Sequence, residues 1–126
     1  MKNRWLEFAG YDLKMAELAL EEGITTQVCF HAQQATEKAL KAWLDHQKLK
    51  IPKTHKLADL ATLEDFAFLG ELFDKLAVLD SFYIPTRYPD ALPGTLPEGE
   101  PSRDMAKEAL ETALQIVEIV EAQTSK

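Results

Sequence analysis

Apolar residues recur along most of this chain at alternating spacings of three and four, the period that places them on one face of an α-helix. This pattern predicts a first helix from about Asn3 to Glu22, with Gly23 as its C-terminal stop. Either Thr25 or Thr26 can cap a second helix, which continues to about Lys48. The first part of the chain is therefore predicted to fold as two long helices with a short connection.

The helical pattern continues through the rest of the chain, with one long interruption. Thr54 is expected to cap a short third helix that carries the leucines of residues 57–63. A longer fourth helix is expected from Leu69 to Tyr83, with leucines at coiled-coil-like spacing. Prolines then recur at every fourth residue from Pro85 to Pro101, which excludes a helix across that loop, and Ser102 caps the last helix.

These helices are expected to form one all-α domain that spans residues 1–126. No segment shows the alternation typical of a strand, and most connections are short. Both features favour an antiparallel up-and-down bundle of four long helices plus a short fifth helix. The proline-rich loop of roughly 17 residues before the last helix is the exception, and loops of that length tend to be functional.

The most informative stretch of the sequence is residues 30–43, which read F-H-A-Q-Q-A-T-E-K-A-L-K-A-W. On a helix, one face of this stretch carries imidazole, amide and ammonium groups, from His31, Gln34, Lys38 and Lys41. A row of alanines at positions 32, 35, 39 and 42 lies beside them and is narrow enough for a neighbouring backbone to approach closely. Such a helix can pack tightly and still present donors to an anion. Alternatively, the histidine and glutamine complete a helix contact while the lysines are solvated.

The charge of the chain is distributed unevenly. The formal net charge of −7 argues against a general nucleic-acid binder, which needs a basic surface. Between His31 and Lys56, however, six lysines face two acidic residues, whereas the other 100 residues carry 8 basic and 19 acidic side chains. This segregation suggests one local anion site, suited to a nucleotide or to one RNA segment.

The remaining composition bears on location and on cofactor chemistry. The chain has a single cysteine, Cys29, which excludes an internal disulfide and fits a reducing cytosol. Because Cys29 lies beside the alanines, we expect it to be a small buried residue rather than a nucleophile. The early charges and the lack of a long apolar run argue against a signal peptide or a membrane span. No Glu-x-x-His, Cys-x-x-Cys, Walker-type or Gly-x-Ser-x-Gly motif occurs, so neither a metal nor another cofactor is expected. We predict a cytoplasmic protein.

A second group of candidate ligand-binding residues lies around the proline-rich loop. Arg87 is suited to bidentate phosphate contacts, and the neighbouring Tyr88 could stack on a base. Alternatively, Arg87 pairs with Asp90 and holds the loop against the bundle. His55 lies between two lysines and could extend the lysine-rich surface, or it could be an ordinary surface residue at a helix start.

Three motifs resemble the prokaryotic HEPN (higher eukaryotes and prokaryotes nucleotide-binding) domain family. They are the stretch at residues 30–43, T-H-K-L-A-D-L at residues 54–60 and Y-I-P-T-R-Y-P-D-A at residues 83–91, and the resemblance covers nearly the whole chain. It implies an antiparallel helical bundle that forms a homodimer, usually across its long helices, where the alanines would permit close packing. It also implies frequent genetic pairing with a minimal nucleotidyltransferase, in many cases as a toxin–antitoxin module.

One motif of the wider superfamily is missing. Its ribonuclease members carry an arginine and, a few residues later, a histidine, late in the bundle. In this chain no histidine follows Arg87 or Arg103. Ribonuclease activity of that type is therefore not expected.

The sequence leaves three hypotheses open. The first is a dimeric nucleotide- or phosphate-binding module that acts with a nucleotidyltransferase. The second is a ribonuclease toxin with a non-standard active site, in which a histidine moves protons and a cation stabilises the phosphorane charge. The third is a structural module whose polar face forms a protein interface. We adopt the first, because the acidic surface and the missing motif count against an RNA-cleaving enzyme. Its expected ligand-binding residues are His31, Gln34, Lys38, Lys41, His55, Arg87 and Tyr88.

Overall fold

The computed structural model describes residues 3–83 and 99–126 of the chain. In chain order the elements are α1 (Arg4–Glu21), α2 (Thr25–His46), α3 (Leu57–Ala61), a 3₁₀ helix (Ala67–Lys75), α4 (Leu76–Asp80) and α5 (Arg103–Thr124). The predicted all-α bundle is confirmed. None of the helices in the described residues is long and apolar enough to cross a membrane. Arg87 and Tyr88, with most of the proline-rich loop, lie outside the described residues.

Helix α2 is the central element of the bundle. It packs extensively against α1 and α5, and it also contacts α3 and α4. The alanines at positions 32, 35, 39 and 42 are fully buried. Because these small side chains are enclosed by neighbouring helices of the same chain, the alanine row is used inside the protomer. A dimer would therefore have to form through another surface.

The two ends of α1 form as predicted. The Asn3 side chain caps the helix by accepting a hydrogen bond from the Trp5 amide at 2.8 Å. At the other end Gly23 has a φ of 74°, and the amide of Ile24 donates to the carbonyl of Ala19 at 2.9 Å. This closure is a Schellman motif, which needs a left-handed residue and so favours glycine.

The predicted threonine cap of α2 is wrong. The helix begins at Thr25, and Ile24 is its N-cap without any side-chain hydrogen bond. The Ile24 carbonyl accepts hydrogen bonds from the amides of Gln27 at 3.1 Å and Val28 at 3.2 Å. Because the helix starts directly after the turn that closes α1, Thr25 and Thr26 already lie within its first turn.

The predicted Thr54 cap of α3 is also wrong, because a residue distant in sequence takes that role. The Asp80 carboxylate accepts hydrogen bonds from the amides of Leu57 at 2.8 Å and Ala58 at 3.0 Å. Thr54 lies before the helix and accepts from the amide of Lys56 at 3.2 Å. Helix α3 is therefore capped by α4, which sequence spacing could not indicate.

The predicted fourth helix is broken into two parts. A 3₁₀ helix runs over Ala67–Lys75 and an α-helix over Leu76–Asp80, and within the first part Gly70 has non-helical angles of φ 58° and ψ −130°. Glycine adopts that conformation without a Cβ clash, so the backbone turns there. The predicted spacing still holds for the core, because Leu69 and Leu79 are both buried.

Candidate functional site

A buried carboxylate of α1 organises the first half of the predicted polar face. Asp12 projects toward α2, and one of its oxygens lies 2.9 Å from Nδ1 of His31. Its other oxygen contacts the ammonium group of Lys38. His31 and Lys38 are seven positions apart, so they lie on the same side of α2 two turns from each other. The structure thus brings these two predicted residues together around an acidic residue that the prediction did not include.

A second buried carboxylate, on α2 itself, organises the other half. Glu37 is 3% exposed, and its Oε2 accepts a hydrogen bond from the ammonium of Lys41 at 2.9 Å. Its Oε1 accepts from Nε2 of Gln34 and lies near Nδ1 of His55, both at 3.3 Å. Lys41 is only 4% exposed, and its Nζ lies 5.5 Å from the centre of the Trp5 ring. Its ammonium is therefore enclosed rather than directed to solvent.

A pair of glutamines extends this cluster toward the end of α4. Gln33 is fully buried, and its Oε1 accepts a hydrogen bond from Gln34 at 2.8 Å. Its Nε2 donates to the backbone carbonyl of His55 at 2.9 Å and lies 3.4 Å from a carboxylate oxygen of Asp80. The hydrogen bonds thus run from the cap of α3 through both glutamines to Glu37. This network holds residue 55 against α2.

The exposed edge of the network is formed by His55 and an aromatic neighbour. The imidazole of His55 is about half exposed and stacks on the ring of Tyr83, with the ring centres 5.7 Å apart and the planes at 27°. On either side of His55, Lys53 and Lys56 are exposed. This edge presents a flat aromatic surface on a segment that carries two exposed ammonium groups, the combination that suits a base and its phosphate.

The charges of the buried part of the site cancel one another. Asp12 and Glu37 offset Lys38 and Lys41, so an anion entering there would have to displace a carboxylate. Net positive charge lies beside this part, in residues 47–56, where four exposed lysines form no ion pair with any described residue. These lysines are Lys48, Lys50, Lys53 and Lys56. The open cationic surface is therefore the edge at His55.

The described residues also bear on metal binding and on the reactivity of the cysteine thiol. They contain no group of three or more histidine, cysteine, aspartate or glutamate side chains that could hold a metal ion. Cys29 is fully buried, and burial raises its pKa to about 12. Cys29 therefore stays a neutral thiol near pH 7. This environment agrees with the prediction that Cys29 is a small buried residue rather than a nucleophile.

Sequence reasoning missed the residues that connect the site. Asp12 interrupts the buried face of α1, since Ala9, Leu13 and Ala16 beside it are all buried. A lone acid among apolar positions is a signal that it has a charged partner elsewhere. Gln33 gave no such signal, because its neighbours in the sequence are polar as well as apolar. Of the seven predicted residues, five join the two carboxylate clusters, and Arg87 and Tyr88 lie outside the described residues.

The chain is similar to a known domain family and to two proteins of known structure. The chain matches the model of the HEPN domain over residues 3–123. It resembles the crystal structure of ST0689, an archaeal HEPN homologue, with 30% identity and a TM-score of 0.76, covering 98% of this chain and 99% of that one. It also resembles TT1696 from Thermus thermophilus, with 36% identity and a TM-score of 0.76, covering 96% of this chain and 98% of that one. No curated protein matches the chain.

Proposed function

Because this chain belongs to the HEPN domain family, we propose that it is a dimeric module that binds a nucleotide or another phosphate ligand. In this proposal it acts with a minimal nucleotidyltransferase, as one half of a toxin–antitoxin-like pair in the cytoplasm. The observation that carries the ligand proposal is the open edge at His55, where exposed lysines flank an imidazole stacked on Tyr83.

The edge and the buried clusters have different roles in this proposal. Lys53 and Lys56 attract the phosphate groups, and the aromatic pair offers a face on which a base can stack. The network from Gln33 to Glu37 holds His55 in place, so the edge is organised before the ligand arrives. The acidic remainder of the surface repels long nucleic acids, which favours a small ligand over RNA.

Calorimetric titration with ATP and with GTP tests the ligand proposal. We expect Lys53→Ala, Lys56→Ala and Arg87→Ala each to weaken binding about tenfold, equivalent to about 1.4 kcal/mol for one lost phosphate contact. The matched control is Lys107→Ala, since Lys107 is an exposed lysine on α5, and this change should leave the affinity unaltered. Absence of binding by the folded wild-type protein at millimolar nucleotide would contradict the proposal.

The partner proposal has a separate test. The open reading frame beside this gene should encode a minimal nucleotidyltransferase, and the two proteins should co-purify when expressed together. A neighbouring gene of another class, or failure of the two proteins to associate, would remove the partner from the proposal without affecting nucleotide binding.

A ribonuclease remains the second candidate because of one contact. His31 Nδ1 lies 2.9 Å from Asp12, and a carboxylate that orients an imidazole is an arrangement used in general acid–base catalysis. If this candidate is right, induction without the neighbouring gene should arrest growth and cleave RNA, and His31→Ala should abolish both effects. Normal growth with intact RNA would exclude it.

A further inference from the structure

Helix α1 carries a second apolar face, which is directed to solvent. Phe8, Tyr11, Met15 and Leu18 are each 41–55% exposed. Their spacing of three, four and three places them in one row, separate from the buried face of the same helix. About half of four large side chains amounts to roughly 350 Å² of apolar surface, which is within the size range of functional patches on monomers.

Charged residues continue this row at both ends. Arg4 lies four positions before Phe8 and Glu22 lies four positions after Leu18, and both are exposed. We call these six residues the outer row of α1: Arg4, Phe8, Tyr11, Met15, Leu18 and Glu22. Its spacings of four, three, four, three and four read the same in either direction. The row is therefore geometrically equivalent to its own reverse, as an antiparallel contact between two copies requires.

The outermost charges of α1, those of Arg4 and Glu22, are opposite to the charges that the helix dipole favours. A helix is stabilised by acidic residues near its N-terminus and by basic residues near its C-terminus. Glu7 in the first turn follows this rule, whereas Arg4 begins the helix and Glu21 and Glu22 follow one another at its end, with no basic residue in the last turn. The positions of Arg4 and Glu22 do not stabilise the isolated helix, so they are better explained by a partner that contacts both ends.

We propose that the outer row of α1 docks antiparallel on the same row of a second copy of this chain. The two-fold axis passes near the middle of the helix, so that Phe8 meets the partner's Leu18 and Tyr11 meets the partner's Met15. Arg4 then pairs with the partner's Glu22 at both ends of the contact. A parallel pairing would instead bring Arg4 to Arg4 and Glu22 to Glu22, which is repulsive at both ends.

This inference rests on the dimer of the proposed function and identifies its surface. The alanine row of α2 cannot be that surface, because it is fully buried within the protomer. Stable interfaces bury about 800 Å² per partner around an apolar centre with a polar rim. The four apolar side chains supply the centre, and the polar residues that flank them on α1 supply the rim.

Light scattering coupled to size-exclusion chromatography tests the apolar part of the contact. The wild-type protein should be a dimer at micromolar concentration, and Met15→Glu should raise the dimer Kd about a hundredfold by placing charges in the contact. The control is Leu63→Glu, since Leu63 is 47% exposed and Met15 is 49% exposed. A monomeric wild-type protein, a Met15→Glu variant that stays dimeric, or a control that also dissociates would overturn the proposal.

Charge reversal tests the antiparallel register. Arg4→Glu and Glu22→Arg should each weaken the dimer about tenfold, although each change improves the helix dipole of the monomer. The variant that carries both changes should recover a Kd within about threefold of the wild type. Loss of dimer in each single variant without recovery in the double variant would overturn the register.

A cross-link supplies a test that reports directly which residues of the two copies lie side by side. In the variant with Phe8→Cys and Leu18→Cys, oxidation should yield a covalent dimer, and the buried Cys29 should not compete. Absence of that dimer would overturn the contact. Nucleotide titration of the wild-type protein is read separately: a wild-type dimer that binds no nucleotide contradicts the proposed ligand and leaves this interface unaffected.

Discussion

Two helices of this protein end with the same backbone motif but place different residues at its left-handed position. Gly23 follows α1 with a φ of 74°, and Lys48 follows α2 with a φ of 61°. In both cases the next residue donates its amide hydrogen to the carbonyl five positions earlier, at 2.9 and 3.0 Å. A residue with a Cβ costs about 1–2 kcal/mol in this conformation, so only the second end is strained.

The strain at Lys48 predicts a stabilising substitution. Lys48→Gly should raise the free energy of unfolding by about 1 kcal/mol, and Gly23→Ala should lower it by about the same amount. A Cβ at Gly23 would meet no atom within 4 Å, so that loss would come from the backbone alone. Urea unfolding measures both values, with Lys50→Gly as the control that should give no gain. A loss of stability in Lys48→Gly would contradict the prediction.

The enclosed ion pair of α2 predicts a large cost for removing one partner. Lys41→Met leaves Glu37 buried without its ammonium and should lower the free energy of unfolding by about 3 kcal/mol. Adding Glu37→Gln should recover most of that loss, because neither buried charge remains. Lys38→Met is the control and should cost less, since Lys38 is one-quarter exposed. Urea unfolding of the set measures the coupling, and additive losses would contradict it.

At the scale of elements, the sequence predicted the ends of α1 and the start of α5, where a local signal sets them, but not the cap of α2, because the helix starts directly after the turn that closes α1. Gly23 and Ser102 are such signals and form the expected stop and cap, and α1 begins next to Asn3, where its start was expected. The predictions failed where a distant residue decides, as at α3, whose cap comes from Asp80. They failed also at Gly70, because the leucine period around it is that of a helix while the backbone turns.

The long-range cap predicts how strongly α3 depends on α4. A helix of five residues is not stable by itself in water, so Asp80→Ala should lower the free energy of unfolding by about 1–2 kcal/mol and increase amide exchange at Leu57 and Ala58. Asp59→Ala is the control, since Asp59 lies in α3 and its carboxylate bonds to no described side chain except that of the half-buried Thr54. Hydrogen exchange measured by NMR distinguishes the two, and equal exchange in both variants would contradict the assignment.

At the scale of the whole molecule, the sequence indicated which polar residues share a face of α2, but not which carboxylates neutralise the lysine charges. The period of α2 placed His31, Gln34, Lys38 and Lys41 correctly on one helix side, because that depends only on spacing. The contact between Lys38 and Asp12 joins two helices, and no local pattern specifies such a contact. Hence the positive charge of the segment was predicted, whereas its cancellation inside the bundle was not.

Because Cys29 is fully buried, the reactivity of its thiol should report global unfolding of the protein. Burial raises the pKa of its thiol from 9.0 to about 12, so a thiol reagent should react at pH 8 only with unfolded molecules, in proportion to their population in urea. The thiol's contribution to stability should be complete below pH 9 and lost as pH rises from 9 to about 12, because the unfolded thiol ionises first. Cys29→Ala removes the signal, and rapid labelling of the native protein would contradict the prediction.

The carboxylate of Asp80 does more than begin a short helix. It binds the chain just after His55 and lies three residues before Tyr83, so this side chain links the two segments that carry the stacked rings. If the edge binds the proposed ligand, a mutational screen scored by ligand affinity would identify residue 80 as a binding residue, although its carboxylate bonds only to the chain itself among the described residues. Under the proposed function the same logic applies to natural variation, since drift at this position would alter ligand preference while every exposed residue of the edge stayed the same.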